Sequence, residues 1–408
     1  MLATLGVLAL AVGLLVSVML HEGGHFLTAR HYGMKATQFF VGFGPTLWSR
    51  HKGETEYGVK AIPAGGFVKI VGMTALEELE PGDEERAFYK HPAPRRAVVL
   101  SAGSFVHFCL AILLVYGVVL FNGLPDENAP VVGDVSKCVP ADPEDACDAA
   151  GARPAPAGGV LRPGDRVLAV DGVRTPTWPA VVVKVRAAAD RAVTLTVQRG
   201  GRKTDVTLTP VAVQRTPVNA DGTAVTGAAK ETVGAIGVVQ SQTVMHHYGP
   251  VAAGGHTADV LGQMLQGTYN TLAHKLGSVT KLFSKDRDKG GLIGVVGASR
   301  VSGEILAAQG EPLSLRIANI LFLLAGLNLF VGIFNLLPLL PLDGGHIAIL
   351  GYEQARDRLR RIRGYRGPLQ RVDIAKLMPV TYAVVLLFAG LTLVLLGADI
   401  VNPIRLTQ

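Results

Sequence analysis

Four long apolar runs organise the chain, at residues 2–20, 97–121, 317–340 and 377–401. Each is close to the roughly 20 residues a helix needs to cross a bilayer. The first carries no charge, the second is interrupted by His107, the third holds Asn319, Asn328 and Asn335, and the fourth is uncharged until Asp399. Between the second and third runs the pattern changes. From Ala129 to about Pro210, short apolar strands such as Val131-Val132 and Val193-Thr194-Leu195-Thr196-Val197 alternate with turns, as in Arg162-Pro163-Gly164-Asp165 and Asp171-Gly172. Beyond Thr232, Leu261, Leu265, Leu272, Leu276, Val279 and Phe283 recur at helical spacing. They predict an amphipathic helix at about 255–283, lying either on the membrane and its spans or on the β-rich region.

These patterns predict a polytopic α-helical membrane protein. Its first half is 1–121, with spans at about 2–25 and 97–121. An inserted β-rich domain follows at 129–212, then a linker at 213–316, and a second half at 317–408 with spans at about 317–340 and 377–401. The first run lacks the basic leader and small-residue cleavage site of a signal peptide, so it reads as a retained span. Of the 408 residues, 49% are hydrophobic and 17% charged, against about 25% charged in soluble chains. The net charge of +7 has a membrane explanation rather than a nucleic-acid one. Ten Lys or Arg fall in 30–96 and eight in 356–376, and basic short connections stay in the cytoplasm. Both termini and the β-rich domain then lie outside the cell membrane. Three cysteines exclude a disulfide scaffold. Cys138 and Cys147 bracket an acidic insert and either close as a disulfide in an oxidising compartment or remain thiols.

The chemistry concentrates where the first span ends. His21-Glu22-Gly23-Gly24-His25 fits H-E-x-x-H. On a helix, positions i and i+4 share a face, so both imidazoles can reach one zinc while Glu22 takes a proton from its water. A catalytic zinc commonly has three protein ligands. Asp343 is a candidate third, after Pro338 and Pro341 break the third span, in irregular backbone beside Gly344 and Gly345.

Together, His-Glu-x-x-His in the first span and Asn335-Leu336-Leu337-Pro338-Leu339-Leu340-Pro341-Leu342-Asp343-Gly344 at the end of the third resemble the site-2 protease family. The segment 162–172, with Pro176-Thr177-Trp178 after it, resembles PDZ domains of bacterial membrane proteases. A single such domain between spans two and three is similar to the regulator-of-sigma-E protease branch. The resemblance implies an intramembrane Zn2+ metalloendopeptidase in a bacterial inner membrane, with its active site toward the cytoplasm. It implies single-pass membrane substrates, such as anti-sigma factors, already shortened by an upstream site-1 type protease. It assigns His21, His25 and Asp343 as ligands, Glu22 as catalytic base and Asn335 as a substrate-backbone contact.

Residues 39–73 resemble the family's membrane-associated β-loop on the cytoplasmic side. There Gly42, Gly44, Gly65 and Gly66 mark turns, and a sheet edge can hold an unwound substrate by strand addition; the other reading is a purely structural hairpin covering the site. The chain departs from the family pattern at Gly103-Ser104-Phe105-Val106-His107, where the family has Gly-Pro followed by Asn, and at Gly294-Val295. His107 then reads as an interhelical hydrogen-bonding group or as a contact to substrate or to the metal's surroundings. His346 reads as a packing or supporting group. Two rival functions fit less well: a non-catalytic scaffold binding peptides through the PDZ-like domain, and a metal-dependent transporter, for which no repeat symmetry is visible.

Overall fold

A computed structural model describes the chain except residues 74–78, 127, 142–146, 148–150, 220–227, 242–243, 275–281, 283–292, 310, 368–371 and 405–408. The first apolar run continues without a break as α1 (Leu2–His31), six residues past the end expected for the span, carrying the His-Glu-Gly-Gly-His segment inside regular helix. It stops where Gly33 adopts a φ of 79° and the amides of Tyr32, Gly33 and Met34 return to carbonyls of the last turn. Two strands follow, β1 (Ala36–Lys52) and β2 (Thr55–Ile70), so the hairpin begins and ends three residues before the expected 39–73. Gln38, Phe39, Phe40 and Val41 have partners on both sides: Lys69, Val68, Phe67 and Gly66 on one, Glu56, Tyr57, Gly58 and Val59 on the other. The ribbon therefore folds back on itself and leaves residues 66–70 as an outer edge. Leu47, Trp48 and Ile62, in the distal part of the hairpin, are exposed and apolar. Pro92 and Pro94 open α2 (Ala93–Phe121), where a missing amide costs least.

The chain divides into two compact units, Met1–Phe121 with Gly249–Gln408, and Asn122–Tyr248. The second holds β3 (Leu124–Pro125), β4 (Val132–Val135), β5 (Cys138–Val139), β6 (Arg153–Pro154), β7 (Arg166–Val170), β8 (Val173–Arg174), α3 (Trp178–Arg186), β9 (Val193–Arg199), β10 (Arg202–Leu208), β11 (Val211–Arg215), β12 (Glu231–Ala235), β13 (Val238–Gln240) and β14 (Met245–His246). Its largest sheet runs β10-β9-β7-β8. Gly200 and Gly201, both at positive φ, make the two-residue turn between β9 and β10, as a tight hairpin requires. Val193, Leu195 and Val197 alternate into a core with Val167, Val181 and Ile236. Thr177 caps α3 by accepting from the Ala180 amide. Cys138 and Cys147 form a disulfide; residues 142–146 of the insert lie outside the described residues. The β-rich unit runs to Tyr248 rather than ending near 212, because β13 pairs with β4 and β12 with β11.

The first unit resumes with α4 (Pro250–His274), which packs against α2. The predicted positions Leu276, Val279 and Phe283 lie outside the described residues. A further helix, α5 (Val295–Ala307), was not expected from the pattern; it lies along the N-terminal half of α1, with Ser302 donating to the Gly6 carbonyl at 2.9 Å. Close approach of small residues is how helices pair where lipid is the solvent. Then come α6 (Leu313–Asn335), α7 (Asp343–Ile362) and α8 (Met378–Val401). Asp399 of α8 is buried and accepts from the amides of Gly294 and Gly297 at 2.9 and 2.8 Å, so the one acid of the fourth run caps α5.

Among the described residues, α1, α2, α6 and α8 are four helices long and apolar enough to cross a membrane. Their outer faces are apolar, as Phe105, Leu113, Leu386 and Leu393 show, which suits a hydrocarbon surround and not water. Asp343 does not lie in irregular backbone, as its flanking prolines suggested. It is the first residue of α7. A side chain on Gly344 would strike the carbonyls of Leu336 and Leu337, and one on Gly345 the backbone of Leu339 and Leu340. The two glycines let α7 start pressed against the end of α6.

Candidate metal centre

His21 and His25 lie one turn apart on the buried face of α1, and Asp343 comes to them from the first turn of α7. The Nε2 atoms of the two histidines are 3.2 Å apart, and Asp343 Oδ2 is 3.5 Å from His21 Nε2 and 3.3 Å from His25 Nε2. Three donors bound tetrahedrally to one zinc at about 2.0–2.1 Å would stand about 3.3 Å from each other. The observed triangle has that size, and Asp343 Oδ2 is buried with no hydrogen-bond partner. A buried carboxylate oxygen left unpaired beside two imidazoles is costly unless a cation fills the gap. The donor set, two nitrogens and one oxygen, is also the kind zinc takes in hydrolytic sites.

The neighbours fix these donors. His25 Nδ1 is 2.7 Å from the Val99 carbonyl, which can only accept. Nδ1 therefore carries the proton and Nε2 presents its lone pair to the centre. Gly103 of α2 lies against both rings, and a Cβ there would strike His21 and His25. Gly24 does the same service on α1, since a side chain would meet the Ala102 carbonyl. The His107 ring is 4.9 Å from that of His21, and its Nδ1 is 2.8 Å from Asn328 Oδ1 of α6. Both are buried, and the Asn328 amide donates to Leu324 O at 2.8 Å. His107 is thus an interhelical hydrogen-bonding group that also packs on a candidate ligand.

Glu22 Oε2 accepts a 3.0 Å hydrogen bond from the Val68 amide, on the outer edge of β2. Of the residues proposed for substrate contact, Gly42 and Gly44 lie in β1 at φ of 82° and 85°, and Gly65 lies in β2 at 116°. Gly66 is adjacent to Met19 and to the Phe40 carbonyl, with no room for a side chain. Asn335 is the last residue of α6, half-buried, eight positions before Asp343. His346 is half-buried on α7 and is not among the donors that converge. The Val99 carbonyl and the Val68 amide, being backbone groups, carried no signal in the sequence; Gly103 and Asn328 stood out there, but their contacts with His21, His25 and His107 are distant in the chain and were not predicted.

A candidate zinc site of two histidines and one carboxylate, set among apolar helices, fits the class of membrane-embedded zinc metalloproteases. The chain belongs to peptidase family M50, the site-2 protease family, which it matches over residues 9–379. It is 38% identical over 413 residues to zinc metalloprotease Rip1 of Mycobacterium tuberculosis, covering 99% of each chain. It is 37% identical over 422 residues to zinc metalloprotease Rip1 of Mycolicibacterium smegmatis, again with 99% of each covered.

Proposed function

We propose that the chain cleaves single-pass transmembrane proteins within the bilayer, with His21, His25 and Asp343 holding zinc and Glu22 as catalytic base. The observation that carries this is the donor triangle of 3.2, 3.3 and 3.5 Å, with its two histidines on a helix apolar enough to span. Zinc, when bound, polarises a carbonyl and acidifies water. Glu22 takes a proton from the attacking water at its carboxylate and passes it to the leaving amine. Val99 keeps the His25 tautomer correct, and Gly103 leaves room for both rings.

A transmembrane helix hides its peptide groups in its own hydrogen bonds and must unwind before attack. The 66–70 edge, whose Val68 amide already reaches Glu22, supports a role for the hairpin in holding the unwound segment extended. Gly42, Gly44, Gly65 and Gly66 would shape the hairpin that carries that edge, and Asn335 would hold the substrate backbone.

The β-rich unit acts as a PDZ-like filter outside the membrane. It has a groove of about 500 Å³ lined by Val181, Val185, Val233, Ile236 and Val238. Its disulfide suits an oxidising compartment. With basic connections inside, both termini are outside and the site faces the cytoplasm. This is the arrangement of the single-PDZ, regulator-of-sigma-E branch, acting on anti-sigma factors or similar regulators after a site-1 type protease has trimmed them. The test is to co-express the chain with tagged single-pass proteins and map cleavage that depends on Glu22. An enzyme loses that cleavage on Glu22→Gln while keeping fold and zinc. A peptide-binding scaffold shows no Glu22-dependent product at all, and that result would overturn the reading.

A further inference from the structure

Helix α7 has two contrasting faces. On one, Ile347 and Leu350 join Phe26, Ala29, Val99 and Leu100 in a buried cluster. On the same side Glu353 accepts from the Val372 amide at 2.9 Å and faces Arg96 at 3.7 Å, and Asp357 is buried beside Arg356. The acids of α7 beyond Asp343 are thus turned into the protein. The opposite face carries Tyr352, Leu359 and Ile362 at helical spacing, 61%, 49% and 75% exposed, with Tyr365, 43% exposed, just past the helix end. Arg358 and Arg361 on the helix, and Arg363 and Arg366 just past its end, are also exposed. The Arg356 and Arg360 guanidinium groups lie 5.7 and 5.8 Å from the Tyr352 and Tyr365 rings.

An exposed apolar stripe edged by arginines and tyrosines, with no acid on it, matches the boundary between acyl chains and anionic headgroups. The position of α7 favours lipid over a globular partner. It starts a short turn after α6 ends, and Glu353 meets Arg96 in the first turn of α2, so α7 lies where two membrane-spanning helices meet the surface.

We propose that α7 is an interfacial helix that docks on an anionic lipid layer, seating Tyr352, Leu359, Ile362 and Tyr365 among acyl chains and its arginines against headgroup phosphates. The docking itself rests on α2 and α6 being spans and not on any catalytic role.

The test reconstitutes the full chain, as the Ile362→Trp variant, in vesicles of phosphatidylcholine alone or mixed with phosphatidylglycerol, both brominated on their acyl chains. The tryptophan signal added over the parent chain, which has Trp48 and Trp178, is expected to be quenched, and more strongly when phosphatidylglycerol is present. Replacing Arg358, Arg361, Arg363 and Arg366 by Gln in that background should remove the difference between vesicle types, each arginine near such a surface favouring docking about fivefold. Absence of quenching, as for a helix facing a protein partner, overturns the proposal. So does equal quenching in both vesicle types. Neither readout uses proteolysis, so the proteolytic reading can fail while this one stands.

Discussion

A methyl group on Gly103 would press into both His21 and His25, so this glycine leaves the room in which the two imidazoles converge. Gly103→Val should fold, retaining most of its thermal stability in detergent, yet lose zinc by metal analysis. Full zinc content in that variant would remove Gly103 from the account. Glu22→Gln should lower cleavage by about 10²–10⁴-fold, the usual worth of a proton-transfer group, with zinc content unchanged. Asn328→Leu leaves His107 without its partner at 2.8 Å. Stripping a buried polar group of its bond should cost about 1–3 kcal/mol, read as a lower melting temperature. That His21 and His25 come together was legible in the sequence because the helix period puts i and i+4 on one face, and Glu22 was singled out by the H-E-x-x-H pattern. The contacts of Gly103, Asn328 and the Val99 and Val68 backbone groups were not, since each is made between helices or with the hairpin.

The proposed third ligand depends on how two elements meet. Asp343 opens α7, and Gly344 and Gly345 let that first turn press on the end of α6. Gly344→Ala puts a Cβ into backbone that cannot swing aside. Overpacking of this kind costs about 1–3 kcal/mol, and here it should also shift Asp343 and weaken zinc retention against a chelator. Unchanged chelator resistance would mean that Asp343 does not depend on this contact. The prolines at 338 and 341 revealed a break after the third span, but not the helix that resumes at Asp343. Proline announces where a helix stops, whereas the restart is set by tertiary packing of two glycines. Helix α5 was hidden for a related reason: its Gly-rich, weakly apolar pattern gains its place from Gly6, Ser302 and the Asp399 cap.

At the scale of the molecule, the four spans were readable because uninterrupted apolar length is a local property. The limit of the β-rich unit was not, because β13 returns from residue 238 to pair with β4. Removing the unit to test the filter therefore means replacing 122–248, not 129–210. The shortened chain should cleave untrimmed single-pass substrate; if such substrate stays intact, the unit is not a size filter. Within that unit, buried Asp165 takes two bonds from Arg199, at 2.7 and 2.5 Å, and one from the Arg162 amide at 2.8 Å. Burial pushes its pKa up, but Arg199 and the Arg162 amide pull it below the usual carboxylate range. A depressed folded pKa adds stability above the unfolded value near 4, and that contribution is lost as pH falls through the folded value. Asp165→Asn should cost about 2 kcal/mol at neutral pH and flatten this acid dependence, measured by protease resistance of the unit in the full chain.

The proposed proteolysis requires Asp343 to join His21 and His25 on one catalytic ion. Zinc content and cleavage of a single-pass substrate, measured on the same purified samples of the parent chain and of Asp343→Ala, test it most directly. The expected result is about one zinc per parent chain, with zinc and cleavage lost together in the variant. A variant that keeps its zinc and still cuts would contradict the account.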